Sequence, residues 1–351
     1  MTTTQTSVVH DLGTLAHRLS HPARTPCVCE PPQVLADRPD GTVVRSGAIV
    51  AKAHAADTDR EELAARIALA AAPQLAGILL PPLPAPAPAA PTARPVTLWP
   101  LGAPVDPTDP GAAPWAEAAD LLARLHRTKP PFPLPPMRGP AKAARAVARM
   151  RAALRADATA VSRGTGDAAT LPGDATAPPR EPAVEPRAPA ALSVLAGWRA
   201  LPAWARGEVP APVRRGGSLC HGDLHLGQLV RHPAPDGPWL LIDVDDAGVG
   251  EPAWDLGRPA AWYAAGLLAP EDWSTFLDAY RAAGGPAVPA DGDPWPALDV
   301  PARALTVQTA AVALAKCAAE QRDPDEHEQL MIESCARIAT LPPELATGPA
   351  S

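Results

Sequence analysis

The sequence predicts an α+β fold in two parts, a small β-rich part over residues 1–98 and a larger, mainly helical part over 99–351. Three observations point to it. Short β-branched runs around turn signals fill the first third of the chain. Helical spacing dominates from Trp115 onward. One strand-like patch carrying polar residues, from Leu219 to Asp246, interrupts the helices. A two-lobed plan of this kind suits ligand binding in the cleft between the lobes.

The elements follow in order. "GTVVRSGAIVAKAH" (Gly41 to His54) reads as two strands around a turn. "DTDREELAARIALAAA" reads as a helix, with Asp or Thr as N-cap and acidic residues in its first turn. "GILLPPL" suits a strand, and "VTLWPLGAPV" (Val96 to Val105) a strand leading into an irregular connector. In "PWAEAADLLARLHRT", Ala118, Leu121, Leu122 and Leu125 fall at helical spacing. "AKAARAVARMRAALRA" predicts a second helix. Residues 157–190 are rich in Ala, Pro, Gly, Asp and Arg without a period, and predict a disordered insertion. Further helices close the chain.

Composition excludes several classes. The net charge is -7 and the pI about 5.7, whereas a general nucleic-acid binder needs a basic surface. No run of apolar residues is long enough to span a membrane, and "MTTTQTSVVHDLG" lacks the pattern of a secretory signal. Five cysteines, an odd number, point to a reduced, cytoplasmic protein. Cys27 and Cys29 have no second pair at zinc spacing. The chain contains no asparagine, and lysine occurs only at 52, 129, 142 and 316, in a chain that otherwise chooses arginine. Each lysine is therefore informative, and each arginine is not.

Four stretches combine chemically. "HGDLHLGQ" supplies His221, Asp223 and Gln228. "LLIDVDD" supplies Asp243 and Asp245, and the hairpin-like "RHPAPDGP" between them brings both to one end of a small sheet. Lys52 ends "GAIVAK", and Glu61 and Glu62 lie on the following helix. Phosphoryl transfer from ATP needs a carboxylate for the attacking hydroxyl's proton and oxygen ligands for Mg²⁺. It also needs a fixed cation for the phosphates.

These motifs resemble the aminoglycoside phosphotransferase family of protein-kinase-like small-molecule kinases, from about residue 35 to 340. The family's His-Gly-Asp loop, its strand ending in "IDxxD" and its "WDLA"-like segment appear here as "HGDLHLGQ", "LIDVDDAGVGEP" and "AWDLG". The loop is closest to the maltose kinase form. The resemblance implies a protein-kinase-like two-lobed fold, ATP and Mg²⁺ as cofactors, and a small hydroxylated substrate. It implies Asp223 as catalytic base and Gln228, Asp243 and Asp245 as metal ligands. Lys52 would meet the phosphates with Glu62 as its partner. Leu98, Trp99 and Leu101 would line the adenine side, and His221 and Asp255 would support the catalytic loop. Two departures stand out: Gln replaces Asn at 228, and "ADRPDGTVV" offers one glycine where a phosphate-covering loop has several.

Other readings stand beside these. His221, Asp223 and His225 alternate along one face and could bind a transition metal. Lys52 could be a solvated edge lysine. Glu61 competes with Glu62. Trp254, Trp262 and Tyr263 read as core before they read as a substrate platform. A nucleotide-binding pseudokinase, acting as a regulatory or scaffold module, would keep the lobes and lose the transfer.

Overall fold

The computed structural model describes residues 3–21, 30–38, 40–84, 94–166, 187–211 and 217–342. The chain forms two compact units. The first comprises residues 1–137, 218–249 and 278–285, and the second comprises 138–217, 250–277 and 286–351. The predicted lobe boundary at 98/99 is not an edge of either unit. The strands on both sides of it pair within the first unit, as follows.

The first unit opens with helix α1 (Thr3–Ser20). An antiparallel sheet follows, in the order β1 (Gln33–Arg38), β2 (Gly41–Ser46), β3 (Ile49–His54) and β4 (Val96–Pro100). The predicted hairpin is β2–β3, closed by the two-residue turn Gly47–Ala48 between the paired Ser46 and Ile49. Gly47 sits at φ 55, which only glycine adopts without strain. Alternation divides the sheet. Val44, Ile49, Ala51, Ala53 and Leu98 pack with Leu12 and Ala16 of α1 into a core. The opposite face carries Val50, Lys52, His54, Thr97 and Trp99, because Lys52 pairs with Thr97 and Val50 with Trp99. Both α1 and β1 went unpredicted.

Helix α2 (Arg60–Ala70) is capped by Asp59, whose carboxylate accepts from the backbone N–H of Glu61 and Glu62. "GILLPPL" forms no full strand. Leu79 bridges to Leu241 in parallel instead. Helix α3 (Trp115–Arg127) follows the connector, where β5 (Ala103–Pro104) joins a second sheet. That sheet has the order β5–β7–β8, with β7 (Leu229–Arg231) and β8 (Trp239–Leu241) as the predicted hairpin. β6 (Ser218–Cys220) pairs with β9 (Gly248–Gly250).

In the second unit, α8 (Trp295–Glu320) is buried along most of its length and packs against α4 (Gly139–Gly166), α5 (Ala188–Ala200), α6 (Ala253–Ala265) and α9 (Glu326–Ile338). A helix apolar nearly all round belongs in a core. Trp254 is buried, and Tyr263 stacks on Trp273 at 5.4 Å between centroids, so both serve packing. The predicted disordered insertion is corrected at both ends. α4 runs through Gly166 and α5 begins at Ala188, so 157–166 and 188–190 are helical. Residues 167–186 lie outside the described residues, as do Cys27 and Cys29. Arg187, just before α5, pairs with Asp157 inside α4 at 2.6 Å, and Gln321 donates to the same carboxylate at 2.7 Å. α7 (Pro270–Ala282) begins in the second unit and ends in the first.

Candidate active site

The first unit gathers every predicted site residue except Asp255, which lies in the first turn of α6 and is buried. The centre is an ion-pair cluster. Lys52 Nζ lies 2.7 Å from Asp243 Oδ1 and 2.9 Å from Asp245 Oδ2. β3 delivers the lysine, and β8 delivers the aspartates through the 3-10 turn that follows it. Asp243 itself sits at φ 62 and ψ 69. This left-handed conformation costs energy for a side chain other than glycine, and aspartate tolerates it better than most. It turns the chain out of the sheet between the two carboxylates.

Burial alone would push the Lys52 pKa down. The charges of Asp243 and Asp245 outweigh it and hold the ammonium protonated far above its ordinary range. For Asp245, burial opposes ionisation. The hydrogen bond from His54 and the charge of Lys52 prevail and keep its carboxyl well below the usual range. Two carboxylates thus share one cation, and the trio is net negative. The remaining oxygens, Asp243 Oδ2 and Asp245 Oδ1, have no protein partner among the described residues. Free carboxylate oxygens in a net-negative cluster fit a hard divalent cation.

The loop carrying Asp223 is anchored to the same strand. Buried His221 donates from Nε2 to the Ile242 carbonyl at 2.8 Å, and the Ile242 N–H donates to the Gln228 carbonyl at 2.9 Å. Gly222 sits at φ 85, and a Cβ there would come within 2.4 Å of the Asp246 carbonyl oxygen. The glycine of "HGD" is therefore required twice over, by its dihedral and by the close approach. Asp223 is half-buried, and Gln228 is buried in the 3-10 turn Leu226–Gln228. His221 thus links the loop to the backbone that follows β8. The transition-metal reading is overturned. His221 spends Nε2 on a carbonyl, His225 Nδ1 accepts from Gly227 N–H, and the three side chains form no ligand cluster.

Two expectations are corrected. Lys52 takes Asp243 and Asp245 as its partners, not Glu62. Glu62, one turn before Arg66, pairs with that guanidinium at 2.9 Å, while Glu61 is exposed. Arg66 is 1% exposed and also donates to the carbonyls of Ala247 (2.8 Å) and Pro136 (3.3 Å). It ties α2 to the segment that follows Asp246. The backbone that the family resemblance sets beside adenine is also partly committed. The Leu101 N–H donates to the Ala48 carbonyl, and the Leu98 carbonyl accepts from Leu83, both at 2.8 Å. Trp99 is buried and donates its indole N–H to Thr97 Oγ1 at 3.0 Å.

Sequence reasoning missed Arg66 and His54. His54 is buried, and its ring contacts Asp245 Oδ2 at 2.9 Å and Thr97 Oγ1 at 2.8 Å. The available signal was its position two residues after Lys52, which puts both on one face.

The fold and this site define a protein-kinase-like phosphotransferase acting on small molecules. A family model described as the phosphotransferase enzyme family, APH, matches residues 33–299, and the chain belongs to that family. Among solved structures, a choline/ethanolamine kinase family protein from Mesorhizobium loti superposes with a TM-score of 0.52 at 16% identity, covering 97% of both chains. The choline kinase LicA from Streptococcus pneumoniae gives 0.50 at 11% identity, covering 96% of this chain and 99% of its own. A structure of LicA in complex with AMP gives 0.52 at 12%, covering 97% and 99%. No curated protein matches the sequence. No helix among the described residues is long and apolar enough to cross a membrane.

Proposed function

We propose that this phosphotransferase moves the γ-phosphoryl group of ATP, with Mg²⁺, to a hydroxyl of a small molecule: an amino alcohol, a sugar or an aminoglycoside. The observation that carries the reading is the convergence of Lys52, Asp243 and Asp245 within 2.9 Å. It occurs beside a His-Gly-Asp loop hydrogen-bonded to the same strand end. Residues 1–98 form the ATP-side lobe in this reading and 99–351 the catalytic lobe, in a cytoplasmic enzyme.

Asp223 accepts the proton of the attacking hydroxyl and orients its oxygen. Lys52, protonated at any working pH, meets the phosphates. Asp243, Asp245 and Gln228 would hold Mg²⁺, which when bound neutralises charge on the transferring group. Gln228 is the only kind of side-chain amide this chain possesses, since it has no asparagine. Leu98 and Trp99 line the adenine side, and Asp255 supports the catalytic loop. The kinship with a choline kinase crystallised with AMP supports the nucleotide. The pseudokinase alternative is not favoured, because every ionisable group that transfer requires is retained.

A thermal-shift titration with ATP, with and without Mg²⁺, tests the first half. Stabilisation that depends on Mg²⁺ is expected, and none at all would sink the reading. A screen of ATP consumption over amino alcohols, sugars and aminoglycosides then finds the acceptor. With that acceptor, Asp223→Ala abolishes nearly all transfer while leaving nucleotide binding in place. Wild-type turnover by that variant would remove Asp223 from its role.

A further inference from the structure

A buried polar side chain needs partners, and those partners fix its orientation. His54 has one on each nitrogen. Its Nδ1 lies 2.9 Å from Asp245 Oδ2, and its Nε2 lies 2.8 Å from Thr97 Oγ1, which also receives the Trp99 indole N–H at 3.0 Å. Proton bookkeeping orders the chain. An ionised carboxylate only accepts, so His54 Nδ1 donates to Asp245. An indole only donates, so the Thr97 oxygen accepts from Trp99, and the same hydroxyl is hydrogen-bonded to His54 Nε2. A continuous chain of hydrogen bonds runs from Trp99 through Thr97 and His54 to Asp245. The backbone beneath is fixed as well: Arg94 donates to the carbonyls of Ala53 (3.0 Å) and His54 (2.5 Å).

The consequence falls on the Asp245 carboxylate. Its Oδ2 takes two donors, His54 and Lys52, both at 2.9 Å. Its Oδ1 takes none among the described residues. Without His54, the carboxylate would be free to turn about its two side-chain bonds and offer Lys52 either oxygen.

We propose that His54 is a positioning residue for the phosphoryl-transfer site. It locks Asp245 so that one oxygen stays on Lys52 and the other is presented to the divalent cation. Through Thr97 and Trp99 it ties that carboxylate to β4, the strand on the adenine side. The proposal rests on the Mg²⁺-dependent kinase reading and assigns to this chain a device outside the His-Gly-Asp and Asp-Val-Asp motifs.

The test is Mn²⁺ binding, followed by electron paramagnetic resonance, to purified protein with a non-hydrolysable ATP analogue. His54→Leu should weaken Mn²⁺ binding about tenfold or more, the usual loss when a partner that orients a ligand is removed. His54→Asn places an amide N–H where Nδ1 stood and should restore affinity to within about threefold. His54→Gln extends past that position and should not. Thr97→Val keeps the shape, removes the relay, and should cost about threefold. Apparent Mg²⁺ activation should shift in the same order while KM for the acceptor holds, a split that a merely structural role would not produce. If wild type binds Mn²⁺ and His54→Leu binds it equally well, the positioning role is wrong and the kinase reading stands. If wild type binds none, both fall together.

Discussion

Two clusters in this molecule set two carboxylates around one cation, and they do opposite things with it. In the first unit, Lys52 touches one oxygen of Asp243 and one of Asp245, and two oxygens are left without protein partners. In the second unit, Arg322 donates to both oxygens of Glu328, at 2.6 and 2.7 Å, and to Glu320 at 2.8 Å. Glu328 also accepts from the backbone N–H of Asp325, completing a capping box at the start of α9. The planar fork of arginine takes both oxygens of Glu328, whereas the compact ammonium of lysine takes a single oxygen from each aspartate. The same charge count gives a closed structural clamp in one place and an open ligand set in the other. In a chain that almost always chooses arginine, lysine stands where a carboxylate oxygen must stay free.

Exchanging the cations tests this directly. Lys52→Arg should keep the positive charge but occupy the free oxygens, and kcat/KM for ATP should fall about a hundredfold or more with the fold intact, as melting temperature would report. Near-wild-type turnover would break the comparison. Next in size is Arg66→Leu, which leaves Glu62 and two buried carbonyls without their donor. Unfolding in urea should show a loss of about 3 kcal/mol. A change below 1 kcal/mol, about the worth of one surface pair, would mean that Arg66 only decorates α2. Arg322→Lys opens the clamp at the surface and should lower Tm by less than about 3 °C, with kcat unchanged.

The smallest effect concerns pH. The hydrogen bond from Arg322 holds the Glu328 carboxyl down at about 2, against an ordinary 4.5. A depressed carboxylate stabilises the fold above its unfolded value, and that contribution fades as pH falls from 4.5 towards 2. Glu328→Gln should flatten the stability curve in that window alone. Equal slopes for wild type and variant would show that the clamp adds nothing.

Much of the candidate site was legible because its chemistry comes in motifs of fixed spacing and in a scarce lysine. Asp223, Gln228, Asp243 and Lys52 sit in motifs that composition could not blur. The clamp around Arg66 was illegible for the opposite reason, since one more arginine in an arginine-rich chain carries no signal. The family resemblance pairs Glu62 with Lys52, whereas helix geometry gives it the guanidinium four residues on. The β2–β3 hairpin followed from its pattern. Helix α1 did not emerge, although Val8, Val9, Leu12, Leu15, Ala16 and Leu19 repeat at helical spacing, because no acidic residue marks its first turn. Its partner is the sheet face of Ala51 and Ala53, whose small side chains look unremarkable until a helix covers them. "HGDLHLGQ" first suggests a metal site built on its histidines. The structure instead gives those rings to backbone groups, and the aspartates carry the charge.

The contact of Asp157 with Arg187, braced by Gln321, has a practical consequence. It pins the start of α5 to the body of α4 beside the C-terminal end of α8, so the position of α5 does not depend on the length of chain between the two helices. The entropy of closing a chain segment between two fixed points grows only slowly with its length. Evolution can lengthen, shorten or rewrite this stretch at small thermodynamic cost, and an engineer can use the same place as a socket for a foreign domain or a fluorescent reporter.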